Sequence, residues 1–318
     1  MRGLLLDAGR LTFSADLPEP RLDEGSTTVR VVRAGICATD LALARGYMGF
    51  RGIPGHEFVG VALDGPLCGK RVVGEINAAC GACPACRAGL GRHCPQRTVL
   101  GILAHGGAFA ERLRLPTENL HAVPDTIGDD AATFTEPTAA AFEIVEQLAP
   151  APGTSCLVVG DGKLGLLCAQ VLAAHGTDVT LAGRHPDRCA LIPQPVAFLE
   201  RAFEAGSSPP TRRFALIVEA TGNPEVLPRL FAVVEPRGTI VLKTTTERPT
   251  QLDLAPLVVD EVSLVGSRCG PFGPALDALA NGRVEVEPMI EARYGLEEGS
   301  EAFEHAARPG ALKVLLEP

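Results

Sequence analysis

A glycine motif between an apolar run and a helical segment most constrains the fold of this chain. The run "SCLVVG" (155–160) is continuously apolar, which predicts a strand buried on both faces. The motif "GDGKLG" follows and opens the helical segment "KLGLLCAQVLAA". Gly160, Gly162 and Gly165 therefore form G-x-G-x-x-G in a strand–turn–helix context, which indicates dinucleotide binding. The glycines permit a tight turn and the approach of a pyrophosphate to the helix N-terminus, where Lys163 adds a positive charge.

The flanking segments predict two kinds of architecture. After the glycine motif come "DVTLAG", "VAFLE", "FALIVEATG", "TIVLK" and "VSLVG". Six strands with helical connections predict a doubly wound parallel sheet, an α/β fold. The helix after the second strand must be brief, because few residues separate "DVTLAG" from "VAFLE". Before this part, "DDAATFTEPTAAAFEIVEQL" predicts a helix capped by Asp129 or Asp130. Earlier still, "TVRVVRAG", "FVGVAL", "KRVVGEI" and "AFAERLRL" predict a compact β-rich domain.

Length and charge exclude several classes of partner. A chain of 318 residues favours two domains. The net charge of −9 argues against nucleic-acid binding, which needs a basic face. No run approaches the roughly 20 apolar residues of a membrane span, and no Lys/Arg cluster suits a membrane surface. We therefore expect a cytoplasmic protein without a nucleic-acid or membrane partner. Its ten cysteines should be reduced, so clustered cysteines point to metal.

Four cysteines form such a cluster. The stretch "CGACPACRAGLGRHC" places Cys80, Cys83, Cys86 and Cys94 at C-x2-C-x2-C-x7-C. Four thiolates at this spacing close a tetrahedron around zinc and leave no open position, which predicts a structural site. An iron–sulfur cluster is possible on ligand count alone. The remaining alternative is four free surface cysteines.

A second set of metal-ligating residue types is scattered along the chain. Cys37 lies in "GICATD", His56 in "PGHE" and Glu136 in "FTEPTAAA". A catalytic zinc uses three protein ligands and keeps one position open, and these three residues would serve. A carboxylate on the apolar stretch around Glu136 would be costly to bury without such a partner. Asp40 is expected to accept a ring N–H of His56, or to begin a helix, or both.

The end of the second predicted strand bears on the choice of nucleotide. An acid there hydrogen-bonds the ribose of NAD, whereas an arginine accommodates the 2′-phosphate of NADP. The sequence "DVTLAGRHPDR" has Gly183 at the acidic position, followed by Arg184. The pattern therefore favours NADP over NAD. The alternative is that Arg184 is an ordinary surface charge.

In combination these motifs resemble the zinc-dependent medium-chain alcohol dehydrogenase family. "GICATD", "PGHEFVG", the four-cysteine lobe, "GAFAE", "TEPTAAA", "GDGKLG" and "VEATG" occur in that family's order and span the chain. The resemblance implies a GroES-like catalytic domain over 1–128, with the structural zinc lobe at 80–94. It implies a Rossmann nucleotide-binding domain over 129–281 and a segment, 282–318, that returns to the catalytic domain.

The resemblance also assigns roles to residues. It implies a catalytic zinc on Cys37, His56 and Glu136, as in the polyol and threonine dehydrogenase branches, and a structural zinc on the four-cysteine lobe. Glu57 is similar to the acid that approaches the zinc transiently when water exchanges. Thr39 stands where the family has the hydroxyl that accepts the alcohol proton. The nucleotide-binding residues implied are Gly160, Gly162, Lys163, Leu164, Gly165, Gly183, Arg184 and Thr221.

One departure from the family concerns the proton. Many relatives carry a histidine five residues after the first zinc ligand, and this chain has Ala42 there. We therefore expect the proton to leave Thr39 through the cofactor ribose hydroxyl and water.

The function implied is hydride transfer between a primary or secondary alcohol, or the matching aldehyde or ketone, and NADP(H) or NAD(H). A homodimer or homotetramer is implied as well, with "VSLVGS" as the paired sheet edge. Two alternatives stay open. The first is a zinc-free quinone or enoyl reductase of the same superfamily. The second is a non-catalytic zinc- and nucleotide-binding protein on this fold.

Overall fold

The computed structural model describes residues 1–21, 24–245 and 249–318. The chain forms two compact units, one of Met1–Glu136 with Val286–Pro318 and one of Pro137–Glu285. The resemblance implies divisions after residues 128 and 281. The first division instead falls inside a helix that begins before it and continues after it, Thr135–Leu148.

The elements are numbered in chain order. The strands are β1 Gly3–Asp7, β2 Arg10–Ser14, β3 Ser26–Gly35, β4 Glu57–Ala62, β5 Arg71–Gly74, β6 Asn77–Ala78, β7 Thr98–Val99, β8 Arg112–Pro116, β9 Leu120–Ala122, β10 Ser155–Val159, β11 Asp178–Gly183, β12 Ala197–Glu200, β13 Phe214–Glu219, β14 Val234–Leu242, β15 Ser263–Gly266, β16 Ile290–Gly295 and β17 Lys313–Glu317. The helices are α1 Ala38–Ala44, α2 Pro84–Arg87, α3 Asp129–Ala132, α4 Thr135–Leu148, α5 Lys163–Ala174, α6 Leu227–Leu230, α7 Ala255–Val259, α8 Phe272–Ala280 and α9 Gly299–Ala306.

The first unit is built around one large sheet. Its strands follow the order β16-β17-β3-β4-β5-β9, and β8 pairs with β3 beside this path. The last strand of the chain thus lies between β16 and β3, where Leu315 is paired with Gly35. On the other side of β3, Gly35 is paired with Glu57 of β4. Both ends of the chain therefore build this β-rich domain, as the resemblance implied.

The second unit is a six-stranded parallel sheet. Its order, β12-β11-β10-β13-β14-β15, places the first strand of the unit in the middle. The order reverses between β10 and β13, and this reversal is the switch point at which doubly wound sheets bind their ligands. β10 reads "SCLVV" and is nearly all buried, as a central parallel strand should be. The predicted α/β architecture is confirmed, with "VSLVG" at one edge of the sheet.

The connection after β11 is short, as the sequence predicted. A single 3-10 segment, Pro186–Leu191, stands there in place of a full α-helix. No helix in the described ranges is long and apolar enough to cross a membrane.

The predicted cap of the alanine-rich helix is wrong. That segment forms two helices, α3 and α4, and Gly128 holds the N-cap position of the first. Both candidate caps lie inside the first turn, because their carboxylates bind arginines instead. Asp129 Oδ1 accepts a bond of 3.0 Å from Arg71, and Asp130 Oδ1 accepts one of 2.9 Å from Arg33.

Candidate metal and nucleotide sites

Cys37 lies at the junction between β3 and α1. It takes the N-cap position of α1 with extended backbone angles. Asp40, three residues later, turns back and accepts the backbone N–H of Cys37 at 2.8 Å through Oδ2. This carboxylate satisfies one of the free N–H groups at the helix start and holds Cys37 in place.

His56 stands just before β4, and it is 3% exposed. Its Nδ1 lies 3.3 Å from Asp40 Oδ1 but is too poorly aligned for a full hydrogen bond. The same Asp40 oxygen accepts the N–H of Gly55 at 3.2 Å. Burial lowers the pKa of His56, but Asp40 and Cys37 outweigh burial and raise this pKa well above its usual value. Asp40 thus contacts both residues and ties α1 to the histidine.

Three potential ligand atoms come together at this point. They belong to Cys37, His56 and Glu57, and they lie within 4.8 Å of one another. One sulfur, one imidazole nitrogen and one carboxylate oxygen fit a zinc ion that has three protein ligands and an open position. Glu136, on the first turn of α4, is partly buried and is not among these three residues. Its role as third ligand stays a prediction.

A buried lysine, which the sequence analysis missed, faces this cluster. The Nζ of Lys313 on β17 donates to Glu57 Oε2, and both side chains are almost fully buried. Nζ also lies 5.2 Å from the centre of the Phe134 ring. Burial lowers the pKa of Lys313, but the charges of Glu57 and Cys37 outweigh burial and raise this pKa. The signal was available, since a lysine within the apolar run "KVLL" must be paired if the strand is buried.

Gly35 makes room for this ion pair. A Cβ built on Gly35 would lie 2.5 Å from Glu57 Oε2 and 3.3 Å from the Cδ of Lys313. Because a real Cβ cannot approach an oxygen so closely, the pair requires glycine at this position of β3.

The four-cysteine cluster has the dimensions of a zinc site. Its Sγ–Sγ distances include 3.4 Å for Cys83–Cys86, 3.8 Å for Cys83–Cys94 and 3.9 Å for Cys80–Cys86. Four sulfurs at zinc–sulfur bonds of ~2.3 Å in a tetrahedron would lie about 3.8 Å apart. The predicted ligands Cys80, Cys83, Cys86 and Cys94 are therefore brought together in a shape that fits the ion.

The pKa values of two thiols in this cluster are shifted in opposite directions. Backbone N–H groups of Ala82 and Cys83 lower the pKa of Cys80 to about 6. Desolvation and the neighbouring thiols raise the pKa of Cys86 to about 12. Four sulfurs this close cannot all carry negative charge unless a cation binds between them.

The glycine loop has the features of a nucleotide site. Gly160 has a φ of 112°, and a Cβ on it would lie 2.7 Å from the carbonyl oxygen of Ala220. A Cβ on Gly165 would lie 1.7 Å from the carbonyl oxygen of Gly160, so α5 packs directly against the loop. Gly162, the N-cap of α5, has open space beside it, as the approach of a pyrophosphate requires. Lys163 and Leu164 form the first helical residues.

The other predicted nucleotide residues lie at or just beyond the ends of β11 and β13, the two strands that flank β10. Gly183 is the last residue of β11, and Arg184 follows it with its Nε 2.7 Å from Glu204 Oε1. Thr221 lies just beyond β13, and its N–H donates to Glu219 at 2.7 Å. These positions lie at the carboxyl ends of the parallel strands, the edge where such sheets bind ligands.

Known proteins are similar to this chain over nearly its whole length. The profile of the alcohol dehydrogenase GroES-like domain matches residues 23–125. L-Threonine 3-dehydrogenase of Streptomyces coelicolor is 29% identical over 329 residues, which cover 95% of each chain. A zinc-binding dehydrogenase of Sinorhizobium meliloti, solved with NADP, has 25% identity and a TM-score of 0.88 over 100% of this chain and 99% of that one. An alcohol dehydrogenase of Escherichia coli CFT073, solved with NADH, has 25% identity and a TM-score of 0.89 over the same shares.

Residues 23–125 thus match the alcohol dehydrogenase GroES-like domain, and the whole chain is similar to zinc-binding and alcohol dehydrogenases, which are oxidoreductases acting on CH–OH donors.

The buried ion pair leads to a stability prediction. Lys313→Met should lower the free energy of unfolding by about 3–5 kcal/mol, because it leaves the Glu57 carboxylate buried and unpaired. The double variant Glu57→Gln with Lys313→Met should recover most of this loss, since no lone charge then remains. Urea unfolding followed by circular dichroism measures both changes. A loss below about 1 kcal/mol in the single variant would be the size expected of an exposed pair and would contradict the assignment.

Proposed function

We propose that this chain is a zinc-dependent dehydrogenase that transfers hydride between a small primary or secondary alcohol and a nicotinamide dinucleotide. The observation that carries the proposal is the convergence of Cys37, His56 and a buried carboxylate, in a chain that also has a glycine loop open to a pyrophosphate. A zinc-free reductase would have no use for the first of these features.

The metal would be held by Cys37, His56 and one carboxylate. When bound, zinc supplies Lewis acidity toward the substrate oxygen, and the nicotinamide accepts or returns the hydride. The protein supplies position and electrostatics. Asp40 fixes the start of α1 and lies against the imidazole, so it sets where the sulfur and the ring stand.

Thr39 is the group proposed to move the proton. Its Oγ1 lies 3.8 Å from the Cys37 sulfur, so a hydroxyl stands beside the first ligand. It can take the proton of the alcohol while its own hydroxyl proton passes to the next acceptor, and the same exchange runs backwards in the reverse direction. Ala42 offers no onward group, so the ribose hydroxyl and water remain the proposed exit.

The nucleotide is NAD(H) or NADP(H). The sequence rule based on Gly183 and Arg184 favours NADP. The ion pair between Arg184 and Glu204 weakens the case for this rule. A guanidinium paired with a carboxylate attracts a phosphate less strongly than a free guanidinium does.

The proposed activity can be tested directly. Wild type should change absorbance at the reduced-nicotinamide band with some members of a panel of alcohols, polyols and aldehydes, offered with each nucleotide. Cys37→Ser and His56→Ala should reduce this rate by at least ~10³-fold, the order expected when Lewis-acid stabilisation of charge is lost. Metal analysis and circular dichroism of the same samples should show that the fold and the four-cysteine metal persist. Full activity of a correctly folded Cys37→Ser protein would refute the proposed site.

The identity of the third ligand gives a second test. The sequence predicts Glu136, whereas the close set of atoms contains Glu57. Loss of the ligating carboxylate should weaken the metal by about 10-fold or more, because even groups that only support a ligand have effects of that size. Zinc retained after a chelator challenge identifies the ligand when Glu136→Gln is compared with Glu57→Gln made in the Lys313→Met background, which leaves no buried lysine charge unpaired. If neither variant loses zinc faster than wild type, a carboxylate ligand is excluded.

We also propose that the protein is a homodimer or homotetramer that pairs at the β15 edge. Near that edge in the sequence, Val258 and Val259 on α7 are 77% and 78% exposed, an apolar surface that a second copy would cover.

The quaternary proposal predicts a mass that depends on this surface. Wild type should elute at two or four times the 33.2 kDa chain mass in light-scattering chromatography. Val258→Asp should lower the mass toward a single chain at micromolar concentration, because an unpaired charge would be buried in the interface. Leu63→Asp, at an exposed leucine of the other unit, is the matched control and should leave the mass unchanged. A monomeric wild type would contradict the proposal.

A further inference from the structure

We propose that Asp161, the residue after the first glycine of the loop, is the carboxylate that recognises the adenosine ribose and makes this chain prefer NAD over NADP. The inference rests on the proposed function, and it reverses the preference that Gly183 and Arg184 predict from the sequence alone.

Asp161 occupies the place that an acid at the end of β11 would otherwise fill. A Cβ built on Gly183 would lie 2.3 Å from Asp161 Cγ and 2.4 Å from its Oδ2. The carboxylate therefore stands over the last residue of β11, although it comes from the loop after the neighbouring strand β10. Residue 183 must be glycine, because the Asp161 carboxylate occupies the space that a Cβ would need. An acid at the end of the second strand usually occupies this position, and here Asp161 occupies it instead. A sequence rule that inspects only the second strand therefore overlooks Asp161.

The carboxylate is rigidly held. Its Oδ2 accepts the backbone N–H groups of Arg184 and His185, each at 2.7 Å, and lies 3.0 Å from the ring Nδ1 of His185. Arg188 donates to the backbone oxygen of Asp161 at 2.7 Å. Burial raises the pKa of Asp161, but the hydrogen bonds from His185 and Arg184 outweigh burial and lower this pKa below its usual value. A fixed, ionised carboxylate is an acceptor prepared for a hydroxyl.

This arrangement disfavours a 2′-phosphate in two ways. The backbone N–H groups of residues 184 and 185 would be natural donors to a phosphate, but the carboxylate already takes them. A phosphate at the same strand end would also stand beside a fixed negative charge. The ribose hydroxyl of NAD meets neither obstacle. Asp161 Oδ1 forms an ion pair of 4.0 Å with Arg188 Nη1, a distance longer than a hydrogen bond, so this oxygen can accept that hydroxyl.

Arg184 is held at a different carboxylate. Its Nε lies 2.7 Å from Glu204 Oε1, and Arg201 approaches the other oxygen at 2.7 Å, so the three side chains together keep one positive charge. The Arg184 side chain is 63% exposed, so water further weakens its attraction for a phosphate.

Binding of two nucleotide fragments tests the inference without catalysis or zinc. Calorimetry on the full chain would compare ADP-ribose with 2′-phospho-ADP-ribose. Wild type should bind ADP-ribose at least about tenfold more tightly, the size of one charged hydrogen bond. Asp161→Asn should reduce the affinity for ADP-ribose by about tenfold, while the affinity for the phosphorylated fragment stays the same or rises. Asp187→Asn, an exposed acid on the same connection, removes the same charge and should alter neither affinity.

A double variant guards against a merely structural effect. Asp161→Ala removes the carboxylate and opens the space above Gly183, and Gly183→Asp then supplies an acid from β11 itself. The double variant should regain the ADP-ribose affinity and the selectivity that Asp161→Ala loses. A residue needed only for folding would not be replaced by an acid on another strand.

These measurements distinguish a failure of the inference from a failure of the proposed function. If wild type binds neither fragment, the proposed function fails. If it binds the phosphorylated fragment more tightly, or if Asp161→Asn weakens both fragments equally, the inference is overturned and the proposed function stands. Asp161 is supported as the residue that selects the nucleotide if Asp161→Asn prefers the phosphorylated fragment and the double variant again prefers ADP-ribose.

Discussion

The buried ion pair between Glu57 and Lys313 connects β4 with the last strand, β17, at the candidate metal site. Glu57 begins β4, and Lys313 begins the last strand, 256 residues later. Neither charge can stay in the interior without the other, because desolvating a lone carboxylate or ammonium costs several kcal/mol. The first unit is therefore closed only when the C-terminal segment has returned to the sheet. The chemistry proposed for the site depends on that return, since the carboxylate next to His56 is held by the final strand.

Asp40 links local structure to chemistry on a smaller scale. Its two carboxylate oxygens bind the N–H of Cys37, the N-cap of α1, and the N–H of Gly55, which precedes His56. The start of a helix and the position of an imidazole are thus set by one side chain. The sequence predicts that Asp40 begins a helix, accepts a ring N–H of His56, or does both. Asp40 instead lies in the first turn of α1 and bonds back to the Cys37 N-cap, and the imidazole lies 3.3 Å away without the alignment of a hydrogen bond.

Much of the fold could be predicted, because its signals are local. An apolar run followed by "GDGKLG" defines β10 and α5, and the spacing of four cysteines defines their lobe. The cap of α3 was predicted wrongly, because arginines distant in sequence bind the two aspartates. Lys313 and Asp161 were missed for a similar reason. Each acts through a partner on another strand, and the periodicity of one segment carries no information about which strands become neighbours.

Gly35 has a consequence for how this chain can vary. The space above it is filled by the Glu57 and Lys313 side chains, so the three positions form one packing unit although 278 positions separate the first from the last, 35 to 313. A larger residue at position 35 becomes tolerable only after the pair has been removed, and a neutral pair would leave a void that a larger residue could fill. Relatives that carry a larger residue at position 35 should therefore lack the acid or the lysine, so that a change at one of these distant positions requires a change at another.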